Sequence, residues 1–326
     1  MTWILGLLSL LVASPLQVDE NRAVLNRDPL ALEAAVAGRW SGWKPGDAPP
    51  DALLNDYRAA LEAYQQSRLL SCLSHIYRVL EIEADYPPGL LLAAVSLYRL
   101  QRYGGAIELY ERLLAHVPGE IARTRQLGHC YHSLGRSEQA LVHYDKLLAL
   151  APTDLLARRA RGVVRLRTGR VGAALEDFDS VLAQRPADAE CLYWRAAALY
   201  DDESPEALAA ARLARDRGPF SARAWFLVAQ AAGEAGEADE AQVARERHKE
   251  LAAVESALRP LEDRLRVQPG DLEALESVAR LRLAAGDFRA AKRAYEGLLA
   301  AAEAAGAQAV ADRARRGLQA QATLNR

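Results

Sequence analysis

The chain has one methionine, four phenylalanines and three cysteines, and nowhere does it show the strict apolar and polar alternation of a half-buried strand. With the β-branched and aromatic residues that fill pleated sheets so scarce, a β-rich core is excluded. An excess of one charge is missing too. Lys and Arg number 41 against 43 Asp and Glu, a formal net of −2, which argues against a globally basic nucleic-acid binder and against an acidic tail protein. Cys72, Cys130 and Cys191 lie far apart, and their odd number leaves at least one free or paired with another chain rather than forming a disulfide framework. The N-terminal apolar run, Trp3 to Ala13, falls short of the roughly 20 residues that cross a bilayer. It has signal-peptide length, but no Lys or Arg precedes it, and Pro15 follows the weak cleavage site at Val12-Ala13-Ser14. Residues 1–18 are therefore expected to direct export to a periplasmic, secreted or membrane-associated location, with a packed N-terminal helix of a cytoplasmic protein as the alternative. Any membrane contact would run through this segment if it stayed uncleaved.

What the chain has is helix formers: Ala, Leu, Arg and Glu dominate. Its 326 residues suit either two domains or one elongated array, and the spacing of prolines decides for the array. Pro118, Pro152 and Pro186 fall 34 residues apart. Between them a frame repeats. In 121–154 it holds Leu127-Gly128, Tyr131, Ala140, Tyr144 and Pro152; in 87–120, Ala93-Ala94, Leu97, Ala106, Tyr110 and Pro118; in 155–188, Arg161-Gly162, Arg165, Ala174, Phe178 and Pro186. A degenerate unit at 53–86 puts Cys72 where the small Ala belongs. The unit at 189–221 is one residue short, 222–255 loses the pattern at Arg245 and His248, and a last unit spans 272–305.

The spacing L-G-x2-Y, A-x3-F, P resembles the tetratricopeptide-repeat (TPR) family, with Thr124 standing where Trp is usual. The resemblance implies an all-α, right-handed superhelical solenoid of antiparallel helix pairs, six to seven units in all. The physics agrees with it: helices of about a dozen residues are too short to be stable alone and must stack on neighbours. Small residues at 94, 128 and 162 permit close approach, and Gly135, Gly169, Gly236 and Gly286 sit where first helices end. Outside the period, 19–52 reads as a helix from Leu30 to Ala37 and a turn-rich connector whose Trp40 and Trp43 can cap the first repeat or meet a partner. Residues 256–271 read as an inserted helix, with Pro260 at its start or at a kink, and 306–326 as a capping helix and tail.

Chemistry finds little support. His129, Cys130, His132 and His143 are metal-ligating types, but Cys130 points away from the histidines' face and His143 lies on the next helix. No CxxC, HExxH, G-x-S-x-G or phosphate-loop motif occurs. No catalytic, metal or cofactor site is expected, and the protein reads as a non-enzyme. In the family, the ligand-facing residues come from positions two, five, nine, twelve and thirteen of each first helix. Carried onto this chain, the implied groove holds Leu91, Val95, Tyr98, Arg99, Arg125, His129, His132, Arg159, Val163, Leu166, Arg167, Tyr193, Tyr200, Phe226 and Gln230. Its mix of Arg, His and aromatics is that of interface hot spots. Residues 121–188 carry eleven Lys and Arg against seven Asp and Glu, while 189–255 carry eight against thirteen, so a partner with acidic residues would be steered to the middle repeats. The expectation is a scaffold or adaptor for a protein or peptide partner. Nucleic-acid binding through the Arg158–Arg170 patch and self-assembly of the solenoid stand as alternatives.

Overall fold

Fifteen α-helices and no strand make up the described residues of the computed structural model, which are 51–116 and 118–324. The expectations for residues 1–18 and for the connector up to residue 50 lie outside them. The chain divides into two units, with the boundary between Pro152 and Thr153.

In the first unit, α1 (Asp51–Gln65), α2 (Leu69–Ile82), α3 (Pro87–Arg99), α4 (Tyr103–His116), α5 (Ile121–Ser133) and α6 (Ser137–Leu150) form three antiparallel pairs, each helix packed on the next. Gly128 is required at its place: a Cβ there would lie 2.9 Å from the Tyr144 ring. The Tyr110 hydroxyl, fully buried, donates to Gln126 Oε1 at 2.9 Å and so ties the second pair to the third. α3 is buried without a break from Pro87 to Tyr98. Its sequence, PPGLLLAAVSLY, has no polar face, and a helix apolar all round belongs inside.

The second unit begins with α7 (Leu155–Arg167), α8 (Val171–Gln184), α9 (Ala189–Asp201) and α10 (Ala207–Arg217). α11 (Ala222–Glu234), α12 (Ala238–Val267), α13 (Leu272–Ala284), α14 (Phe288–Ala304) and α15 (Gln308–Leu324) complete it. First helices are capped by side chains here: Asp154, Asp188, Ser221 and Asp271 each accept from the backbone N–H three residues on, a contact that stabilises each helix by about 1 kcal/mol. Gly162 meets Phe178 as Gly128 meets Tyr144, with a Cβ only 2.7 Å from the ring. Asp177, nearly fully buried, is held by Arg161 (2.6 and 3.0 Å) and Arg165 (3.0 Å). A buried carboxylate needs such pairing.

One expected boundary differs. Residues 256–267 are not a separate inserted helix but the second half of α12, which runs through Pro260 without ending. Proline removes one i to i−4 bond, but the helix runs on, with Leu251 and Leu258 buried in the turns before it. At the far end α15 closes on α14, with Gly317 seated against Tyr295, and it turns Arg316 and Gln319 outward.

Candidate functional site

In the first unit, the residues expected to face a ligand are mostly inside. Leu91, Val95 and Tyr98 are buried because α3 has no polar face to give to solvent, and His132 is buried with them. A partner cannot reach these four side chains in this arrangement. Arg99 is half-buried, over the Tyr64 ring at 5.1 Å with a bond to Ser67 Oγ at 3.4 Å. Arg125 is half-buried. His129 sits edge-on between Tyr98 and Tyr103 at 5.4 and 5.7 Å. Burial among those rings lowers its pKa from the ordinary 6.5 to about 4, so it is neutral at physiological pH and acts as an aromatic side chain.

In the second unit the expected residues separate into two groups. Val163 and Leu166 belong to a core cluster with Ala174, Phe178, Val181 and Trp194. Arg159 is held by both carboxylate oxygens of Asp188 at 2.9 and 3.1 Å, and Asp188 also caps α9 through Cys191 N–H. These three residues hold the fold together. Arg167, Phe226 and Gln230 are exposed, and Tyr193 and Tyr200 are half-exposed. Tyr193 and Tyr200 lie two turns apart on α9, while Phe226 and Gln230 lie one turn apart on α11, so each helix turns a single stripe outward. α9 and α11 also touch each other.

Four residues that the sequence reading passed over complete this face. Arg223 lies flat over Tyr193 at 4.8 Å and Trp194 at 5.6 Å, with Glu190 at 3.9 Å. A guanidinium on an aromatic face is attracted to the ring quadrupole and fixed in direction. Glu234 accepts the Tyr200 hydroxyl at 2.5 Å; burial, with this bond beside it, pushes that tyrosine up to about 12. Asp201 ends α9. The repeat frame itself points to them: Glu190 and Arg223 stand at position two, Asp201 and Glu234 one residue beyond position twelve.

Of the six arginines in the basic patch at 158–170, three are paired within the fold, while Arg167 and Arg170 are exposed. Arg159 serves Asp188, while Arg161 and Arg165 serve Asp177. Among the described residues, no three His, Cys, Asp or Glu side chains are placed to hold a metal ion. Nor is any described helix long and apolar enough to cross a membrane.

Comparison with known proteins follows the same lines. Two family models, each described as a tetratricopeptide repeat, match residues 97–162 and 159–207. No curated protein matches the sequence. Among solved structures, that of PilW, a type IV pilus biogenesis factor, is similar at 18% identity and TM-score 0.50, covering 60% of this chain and 91% of that one. YrrB, a TPR protein with an unusual peptide-binding site, gives 21% identity and TM-score 0.48 over 53% of this chain and 89% of its own. Pseudomonas aeruginosa pilF gives 20% and 0.48 over 60% and 89%. Proteins built of such repeats generally serve as interaction scaffolds for protein or peptide partners. The 34-residue frame, the seated glycines and the two matched segments agree: residues 97–207 of this chain are tetratricopeptide repeats.

Proposed function

We propose that the protein is a non-catalytic scaffold that holds a polypeptide partner on the face of α9 and α11 in its second unit. One observation carries the reading: Tyr193, Tyr200, Phe226 and Gln230 line adjacent first helices and stay open, whereas the matching positions of α3 are buried. Half-exposed aromatics beside a fixed guanidinium are the composition of an interface hot spot. The positive balance of residues 121–188 steers acidic stretches of a partner toward them, and the reversed balance of 189–255 repels such stretches. Nucleic-acid binding loses its footing, because three of the arginines that would carry it are paired within the fold. The polar outer face of α15 speaks against self-assembly through that end. Export through residues 1–18 belongs to the same reading, and N-terminal sequencing of the mature protein tests it.

The decisive experiment compares the tagged full chain with Tyr193→Ala/Phe226→Ala in affinity purification followed by mass spectrometry, with circular dichroism to confirm folding. A partner should be retained by the parent protein and lost from the double variant. An identical set of captured proteins would remove the site.

A further inference from the structure

The C-terminal ends of the first helices are not alike. α3, α5, α7 and α13 each carry Arg or His in the last turn, as the partial negative charge of a helix C-terminus favours. α9 and α11 have no base there and end on carboxylates, Asp201 and Glu234. Among the described residues neither carboxylate has an ion-pair partner; Glu234 has only the Tyr200 hydroxyl. Desolvation holds the Asp201 carboxyl above its ordinary value, the mark of a negative charge set where nothing offsets it. Two adjacent helices thus bring like charges to the ends where their own dipoles oppose them.

Both helices repeat one layout. On α11, Phe226, Gln230 and Glu234 follow at intervals of four, a single stripe that runs from an exposed aromatic to a carboxylate. On α9, Tyr193, Tyr200 and Asp201 run the same way. A carboxylate beside a half-exposed tyrosine ring suits a long cationic side chain, whose stem covers the ring while its head meets the charge. Acidic ligands and nucleic acid are repelled by the same edge.

We propose that the edge formed by Tyr200, Asp201 and Glu234 takes a lysine or arginine side chain of the partner polypeptide, while apolar residues of that partner lie on Tyr193 and Phe226. This rests on the scaffold reading above. It adds a chemical requirement: the partner segment that crosses α9 and α11 is basic and apolar by turns.

The test uses the full chain and two fluorescein-labelled peptides, one alternating lysine with leucine and one alternating glutamate with leucine, titrated by anisotropy at low salt. The lysine peptide should bind at least tenfold more tightly. Asp201→Asn/Glu234→Gln should abolish that preference while the melting temperature stays level or rises, because two unfavourable charges have gone. Tyr193→Ala/Phe226→Ala should weaken both peptides. If the preference survives in the carboxylate variant while the aromatic variant still loses binding, the proposal falls and the scaffold face stands. If neither double variant changes binding, both readings fall; a parent protein with no preference between the peptides also overturns the proposal.

Discussion

The two units share one repeat frame and use it differently. In the first, α3 is enclosed from Pro87 to Tyr98 and begins at Tyr86 with no side-chain cap; in the second, α9 and α11 are capped by Asp188 and Ser221 and keep part of one face open. A helix stabilised at its own end can leave a stripe uncovered, whereas one without a cap relies on burial all round. The same positions of the repeat are therefore enclosed on α3 and partly open on α9 and α11.

Four changes press on that contrast. The largest effect is expected from Gly162→Leu, since even a Cβ lies 2.7 Å from Phe178 and the full side chain must force α7 from α8, at a cost of about 3 kcal/mol. Gly128→Leu should do the same against Tyr144. If the units unfold separately, each variant shifts only its own transition in urea, and an equal shift of one common transition would break the division into units. Next, Leu91→Ala should cost about 3 kcal/mol through the cavity it leaves, while Phe226→Ala, already 38% exposed, should cost less than about 1 kcal/mol. Partner retention should respond in the opposite order. Comparable stability losses at the two sites would show that α11 has no free face.

Acidification comes third. His129 is neutral in the folded first unit down to about pH 4, whereas in the unfolded chain it protonates near 6.5. The unfolded state thus binds the extra proton between those values, and stability falls as pH drops through that window. His129→Gln should flatten the fall in a pH series of melting temperatures, and an unchanged slope would remove the histidine from the account. The smallest effect is a gain: Gly297 lies mid-helix in α14 and a Cβ added there would meet nothing within 4 Å, so Gly297→Ala should stabilise the second unit by about 0.5–1 kcal/mol.

Much of the fold was legible. Prolines at 34-residue spacing and the Gly128–Tyr144 and Gly162–Phe178 pairs reveal the helix pairs because they record backbone approach, which depends on local residue size. Exposure was harder to read. Arg159 looked like a groove residue because its partner, Asp188, lies 29 positions away, and nothing in the local pattern announces that pair. Leu91, Val95 and Tyr98 occupy ligand-facing positions in the frame, yet the unbroken apolar run around them was the better guide. Pro260 suggested a helix start or a kink, and α12 continues through it as one helix.

The three cysteines carry a practical consequence. Cys72, Cys130 and Cys191 are all free and buried, and burial raises each thiol, to about 11 for Cys72 and about 12 for Cys191. A thiolate is the reactive form, so a thiol-selective reagent meets almost none until a helix pair opens. Because the three stand on α2, α5 and α9, the order in which they become labelled is a clock for where the array comes apart, written into the native chain without a single engineered residue.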